Sequence, residues 1–169
     1  MKIIFFGEDS FSNIVLQSLI AKGHDVQLVV CPLYDNNIHK RLENTCIQNE
    51  IKWLRVSKLE DADFVDRLKA IAPDLMVITH FERLLKKTII KIPKKGCINL
   101  HPSLLPKYRG LSPQHWPIIN GDDETGITVH FVDETADTGD IIIQKKVSIT
   151  SDMYVYDLQV VFSELYKSI

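Results

Sequence analysis

Short apolar runs alternate with amphipathic stretches through the first hundred residues. Lys2–Phe6 (KIIFF) is apolar at every position after its lysine, which predicts a strand buried on both faces. In Phe11–Lys22, residues Ile14, Val15, Leu16, Leu19 and Ile20 form one apolar face, predicting a helix that Gly23 ends. Asp25–Cys31 predicts a second strand closed by Pro32. A polar helix is predicted from about Asn37 to Glu50, a weaker strand over Ile51–Arg55 and a short helix over Asp63–Ile71. Leu75–Thr79 and Gly96–Leu100 are two further buried strands. Beyond Gly110 the pattern changes. Ser112–Asn120 predicts a helix opened by Pro113, Gly126–Phe131 and Ile141–Val147 predict strands joined by an acidic loop, and Asp152–Lys167 predicts an amphipathic helix.

Strands alternating with helices imply right-handed crossovers and an α/β fold, a Rossmann-like and mostly parallel sheet flanked by helices. No repeat, low-complexity tract or linker interrupts the pattern, so residues 1–169 read as one domain. In such sheets ligands sit beyond the carboxyl ends of the strands, which singles out 7–12, 79–85 and 100–110.

Composition narrows the function classes. With 45% hydrophobic and 25% charged residues the chain reads as an ordinary globular protein, and its net charge of −2 gives no broad footprint for nucleic acid or anionic membranes. No apolar run is long enough to span a bilayer, and the first apolar run breaks at Gly7, so it reads as a strand rather than a signal peptide. Cys31, Cys46 and Cys97 are odd in number and widely spaced, which suits buried thiols in a reducing cytoplasm better than a disulfide framework or a zinc site.

The loop FFGEDSF contains a single glycine and so matches neither the dinucleotide nor the P-loop pattern, which argues against hydride transfer. Ser10, Ser12 and Asn13 are candidates for an anion at a helix N-terminus, although capping by Ser10 or Ser12 is the plainer use. The stretch CINLHPSLLPKYRG is more informative. Asn99 and His101 lie two residues apart on a predicted strand and so share a face, and Pro102 and Pro106 stiffen the loop that follows. The acidic loop carries Asp133, Glu134, Asp137 and Asp140, one of which beside His101 would favour its imidazolium. Of the other histidines, His24 and His39 read as surface residues, His80 lies at a strand end, His115 on a helix and His130 within a strand. Tyr108 and Trp116 are candidates for an acceptor pocket, with core packing the more ordinary use of Trp116.

The strings NLHPSLLPKYRG and DETADTGDIIIQ resemble the two signature segments of the folate-dependent formyltransferase family, which includes enzymes acting on methionyl-tRNA, glycinamide ribonucleotide and sugar nucleotides. The resemblance runs along nearly the whole chain. It implies a formyltransferase catalytic domain, with or without a further C-terminal region, that uses 10-formyltetrahydrofolate as co-substrate and no metal. By that likeness Asn99, His101 and Asp137 are catalytic: Asn99 and a protonated His101 would donate to the developing oxyanion, and Asp137 would stabilise the imidazolium and relay a proton. The segment HFERLL resembles the pterin-binding stretch, placing Arg83, Leu84 and Leu85 on one side of the folate and the loop from Val132 and Asp133 to Asp137 on the other. The tryptophan in SPQHWPIING resembles the sugar-nucleotide branch, and CPLYDNNIHKRLENT after the second strand is unlike the long basic loop of the tRNA branch, so the resemblance implies a nucleotide-linked amino sugar as acceptor. Methionyl-tRNA is the alternative, as are a folate-binding module without turnover and a formate-releasing hydrolase. Val160, Val161 and Leu165 on the last helix are candidates for a lost domain contact or a homodimer face.

Overall fold

The structure is a computed structural model that describes residues 1–33 and 40–168. Its elements in chain order are β1 Lys2–Gly7, α1 Ser10–Ala21, β2 Asp25–Pro32, α2 Lys40–Gln48, β3 Trp53–Val56, α3 Ala62–Ile71, β4 Leu75–Thr79, α4 Lys87–Ile90, β5 Cys97–His101, α5 Trp116–Asn120, β6 Glu124–Phe131, β7 Ile141–Ser148 and α6 Val155–Ser168. The seven strands form one sheet in the order β3-β2-β1-β4-β5-β6-β7. The first five are parallel, β6 pairs antiparallel with β5, and β7 pairs antiparallel with β6.

The doubly buried reading of the early strands follows from their alternation. Ile3 and Phe5 join Val29, Val77, Leu100 and Val129 on one face, under Leu16 of α1, Leu42 of α2 and Phe162 of α6. Ile4 and Phe6 join Leu28, Val30, Met76 and Ile78 on the other, against Phe64 and Leu68 of α3 and Ile89 of α4. The strand order reverses between β1 and β4, which opens a crevice at their carboxyl ends.

Several expected boundaries shift for physical reasons. Pro32 ends β2 from inside, aligned with Val56 of β3. Ser112 has φ +55, a left-handed conformation that no right-handed helix includes, so α5 begins at Trp116 instead. Trp116 is then 46% exposed, which removes the core-packing use expected of it. Helix α4 was absent from the sequence reading. The start of the predicted polar helix, and His39, lie outside the described residues. Cys31, Cys46 and Cys97 are free, buried thiols, each pushed up to about 12 chiefly by burial. Among the described residues no helix is long and apolar enough to cross a membrane.

Candidate active site

A cavity of about 450 Å³ opens at the carboxyl ends of β1, β4 and β5. Its walls come from Glu8 and Asp9 after β1, residues 80–84 after β4, Asn99–Pro102, residues 110–114, and Ala136 with Asp137. The volume is that of a small-ligand site. A larger cavity, about 590 Å³, lies at the other end of the sheet, near the start of β2 and the approach to β3. It gathers no cluster of the kind described below, so the chemistry is assigned to the smaller one.

The antiparallel β5–β6 register builds the floor of the site. Asn99 faces His130, and His101 faces Thr128. Aligned residues of paired strands present side chains to the same face, which brings His130 (2% exposed) beside Asn99. Asp137 enters from the loop between β6 and β7 with φ +52, a conformation that Asp and Asn tolerate better than most residues. The Gly110 N–H donates to Asp137 Oδ2 at 2.9 Å, and Asn99 Nδ2 donates to Asp137 Oδ1 at 3.1 Å. The same carboxylate lies 3.5 Å from His101 Nδ1 and 3.4 Å from His130 Nε2. Thus Asn99 and His101, neighbours on β5, meet Asp137 from a distant loop at one point.

The loop after β5 is pinned from below. Thr128 Oγ1 donates to the Ser103 carbonyl at 2.7 Å while accepting from Leu105 N at 3.1 Å and Gln144 Nε2 at 2.9 Å, so one hydroxyl is fully used. His101 Nε2 lies 2.8 Å from the Tyr108 carbonyl oxygen, an acceptor only, and therefore carries the hydrogen in the neutral ring. The remaining lone pair sits on Nδ1, towards Asp137. Tyr108 contributes this carbonyl alone. Its hydroxyl donates to Asp122 and accepts from Asn120, and its side chain is not part of the cavity wall expected of it.

Electrostatics alter one expectation. Burial pushes the His101 ring down, and the opposing pull of the Asp137 charge and the Tyr108 carbonyl does not make up the difference. His101 is therefore held towards its neutral form, where the sequence had suggested an imidazolium. Burial works to raise the Asp137 carboxyl, yet the polar neighbours His130 and His101 and the Gly110 N–H outweigh it and leave it below the ordinary value. Asp137 is thus ionised at neutral pH.

The remaining predicted residues fall in different places. Arg83 and Leu84 line the cavity, and Arg83 Nη1 donates to the Ser57 carbonyl. Leu85 is buried in the second core, against which Val132 packs. Asp133 lies outside the lining set and accepts from Thr135 N, Thr135 Oγ1 and Thr138 Oγ1, shaping the loop that carries Asp137. Of the candidate anion ligands, Ser12 Oγ is spent on the Thr79 carbonyl and Asn13 Oδ1 accepts from Thr45, while Asp9, rather than either serine, caps α1. His80 lines the cavity, with Nδ1 donating to Asp9 Oδ2 and Nε2 accepting from the buried Tyr166 hydroxyl, each at 3.0 Å. His130 is the participant that the sequence undervalued. Its strand position was readable, but its alignment with Asn99 was not.

A mostly parallel sheet whose strand ends gather an amide, an imidazole and a carboxylate at a small-ligand cavity defines an α/β protein equipped for proton movement at a bound organic group. Over residues 1–167 the chain matches the formyl transferase family, and it belongs to that family. The methionyl-tRNA formyltransferase of Pelotomaculum thermopropionicum is 40% identical over 158 residues, covering 90% of this chain and 50% of its own length. That of Clostridioides difficile is 38% identical over 164 residues, covering 94% and 53%. The chain therefore spans about half the length of the curated relatives it matches. Among solved structures, the phosphoribosylglycinamide formyltransferase of Bacillus halodurans superposes with a TM-score of 0.85 at 26% identity, over 100% of this chain and 91% of that one. A sugar 3N-formyl transferase solved with dTDP and 5-N-formyl-THF shares the fold, with a TM-score of 0.77 at 24% identity, over 99% of this chain and 59% of that one.

Proposed function

We propose that this chain is a formyltransferase catalytic domain that moves the formyl group of 10-formyltetrahydrofolate onto the amino group of methionyl-tRNA. The observation that carries the chemistry is the meeting of three groups at the strand-end cavity, Asn99 hydrogen-bonded to Asp137 and His101 Nδ1 3.5 Å from the same carboxylate. Support for the acceptor comes from relatives 40% and 38% identical to this chain that are methionyl-tRNA formyltransferases. They favour tRNA over the amino sugar suggested by the sequence motifs.

The donor supplies an electrophilic formyl carbon, and the loop at 80–84 and Ala136–Asp137 are the walls between which its ring system would lie. The protein's own part is to position an amine and move a proton. With Nδ2 tied to Asp137 and His130, the end of Asn99 offered to an incoming amine is Oδ1, an acceptor suited to an amine N–H. Donation by Asn99 to the formyl oxygen, expected from the sequence, requires one Nδ2 hydrogen to leave its partner when substrates bind. Neutral His101 is a base: its Nδ1 lone pair takes the proton that the amine loses as its nitrogen bonds the formyl carbon, ionised Asp137 stabilises the resulting imidazolium, and the proton passes to the folate nitrogen as its bond to that carbon breaks and tetrahydrofolate leaves.

A second reading keeps the chemistry and takes a nucleotide-linked amino sugar. Half-exposed Trp116, two residues beyond the cavity-lining Gln114, supports it, because an aromatic face near the mouth suits a sugar or base. The test is release of tetrahydrofolate from 10-formyltetrahydrofolate in the presence of methionyl-tRNA, aminated nucleotide sugars or glycinamide ribonucleotide, alongside calorimetric folate binding. Release that requires methionyl-tRNA and falls by about 10²–10³ in Asn99→Ala is the expected result. Release that requires an amino sugar would reject the tRNA acceptor, and absence of folate binding would reject the reading as a whole.

A further inference from the structure

His130 moves no proton in the chemistry described so far, yet both of its ring nitrogens face polar partners. We infer that His130 is a positioning residue: through Nε2 it fixes which end of the Asn99 amide faces the reacting groups. Its kinetic consequence rests on the proposed formyl transfer, and its structural consequence does not.

The argument is one of hydrogen-bond bookkeeping. His130 Nδ1 lies 2.8 Å from the Phe131 carbonyl oxygen, which can only accept, so the hydrogen of the neutral ring is on Nδ1 and the lone pair on Nε2. Asn99 Nδ2 lies 3.3 Å from that lone pair and 3.1 Å from Asp137 Oδ1, another acceptor. Both hydrogens of the amide nitrogen thus have acceptors, and among the described residues Oδ1 accepts from none. A half-turn of the amide would lose both hydrogen bonds and set Oδ1 against a carboxylate oxygen and an imidazole lone pair. Asp137 alone would hold one hydrogen, but it reaches the amide from a loop rather than from a paired strand position. His130 differs: it is a strand residue directly opposite Asn99 and is buried, so it ties the amide to the sheet itself. A shift in the β6–β7 register between Val129 and His130 marks this as a locally adjusted point in the strand.

The test compares His130→Leu, which keeps bulk and removes the acceptor, with His130→Gln, whose amide oxygen can take the place of Nε2. In the wild type the side-chain amide of Asn99 should give two distinct, exchange-protected proton signals in the NMR spectrum of isotope-labelled protein. These should shift and lose protection in His130→Leu and return in His130→Gln. In the formyl-transfer assay His130→Leu should lower kcat by about 10- to 100-fold, the scale of a misplaced reacting group, with KM for the folate within about twofold. His130→Gln should recover most of kcat. Unchanged Asn99 signals in a folded His130→Leu protein would overturn the inference, as would a His130→Gln enzyme no better than His130→Leu. An inactive wild type with the expected NMR changes would reject the functional reading and leave the positioning role standing.

Discussion

Glu8 gives the most quantitative prediction. It follows β1 at the rim of the cavity and is only 7% exposed. Burial and the nearby Glu82 charge raise its carboxyl from the ordinary 4.5 to about 7, against the pull of a hydrogen bond from the Glu82 backbone. The sign follows from linkage. The folded chain holds this proton more tightly than the unfolded chain, so stability is full below pH 4.5 and declines as pH rises to about 7. Two and a half pH units at about 1.4 kcal/mol each give a loss of about 3 kcal/mol above pH 7. Glu8→Gln keeps an acceptor for the Glu82 N–H but never ionises. Urea unfolding of both proteins at pH 4 and pH 9 isolates the effect, because all other titrations are common and cancel. The stability difference should move by about 3 kcal/mol in favour of the variant between the two pH values. A difference constant to within about 0.5 kcal/mol would show that Glu8 ionises normally in the folded protein and refute the reasoning.

Three further outcomes follow from the site. Asp137→Asn is compatible with the left-handed backbone at that position, so it should fold and lose about 10²–10⁴ in turnover. Because the Asp137 carboxyl is held below its ordinary 3.8, the stability advantage of wild type over this variant should be present at pH 7 and shrink as pH falls below 4. With neutral His101 as base, kcat in the Glu8→Gln background should be flat around pH 7 and fall only below the ordinary histidine value of 6.5; a midpoint above 6.5 would contradict it. In Gly139→Ala the new Cβ would sit 1.8 Å from the Phe131 carbonyl oxygen, so the loop must move. Thermal unfolding should then show a loss of about 2–3 kcal/mol together with reduced turnover, and an unchanged midpoint would refute the clash.

What could be read in the sequence was what local pattern encodes. Strands β1, β2, β4 and β5 are short and mostly apolar, and their reading as parallel and doubly covered matches the two cores that flank them. Asn99 and His101 were visible as an i, i+2 pair at a strand end. Helix α4, at four residues, is too short to show a period. Pro113 imitated a helix start, whereas the chain turns through Ser112 and reaches helical geometry only at Trp116. His130 shows the main limit. Alternation placed it on a strand, but its role depends on which residue of β5 it faces, and register across an antiparallel pair is set by tertiary packing.

The acceptor is harder to read than the chemistry for a related reason. Amide, imidazole and carboxylate are brought together by one strand end and one loop, and any amine delivered to that point meets the same groups. Discrimination between amines must come from surfaces that grip the rest of the acceptor. A tRNA needs cations for its phosphates, and the net charge of −2 provides no general attraction. The densest basic stretch, with Lys86, Lys87, Lys91, Lys94 and Lys95, is partly neutralised by Glu60, Glu134 and Asp74. An RNA held by this chain alone would therefore engage few phosphates, and its binding should weaken only shallowly with salt. A steep dependence would require that lysine segment to shed its acidic partners on binding. On the proposed reading, catalytic competence and acceptor choice are separable, the first residing in the β5–β6 pair and its loop, the second in the surface around the cavity mouth.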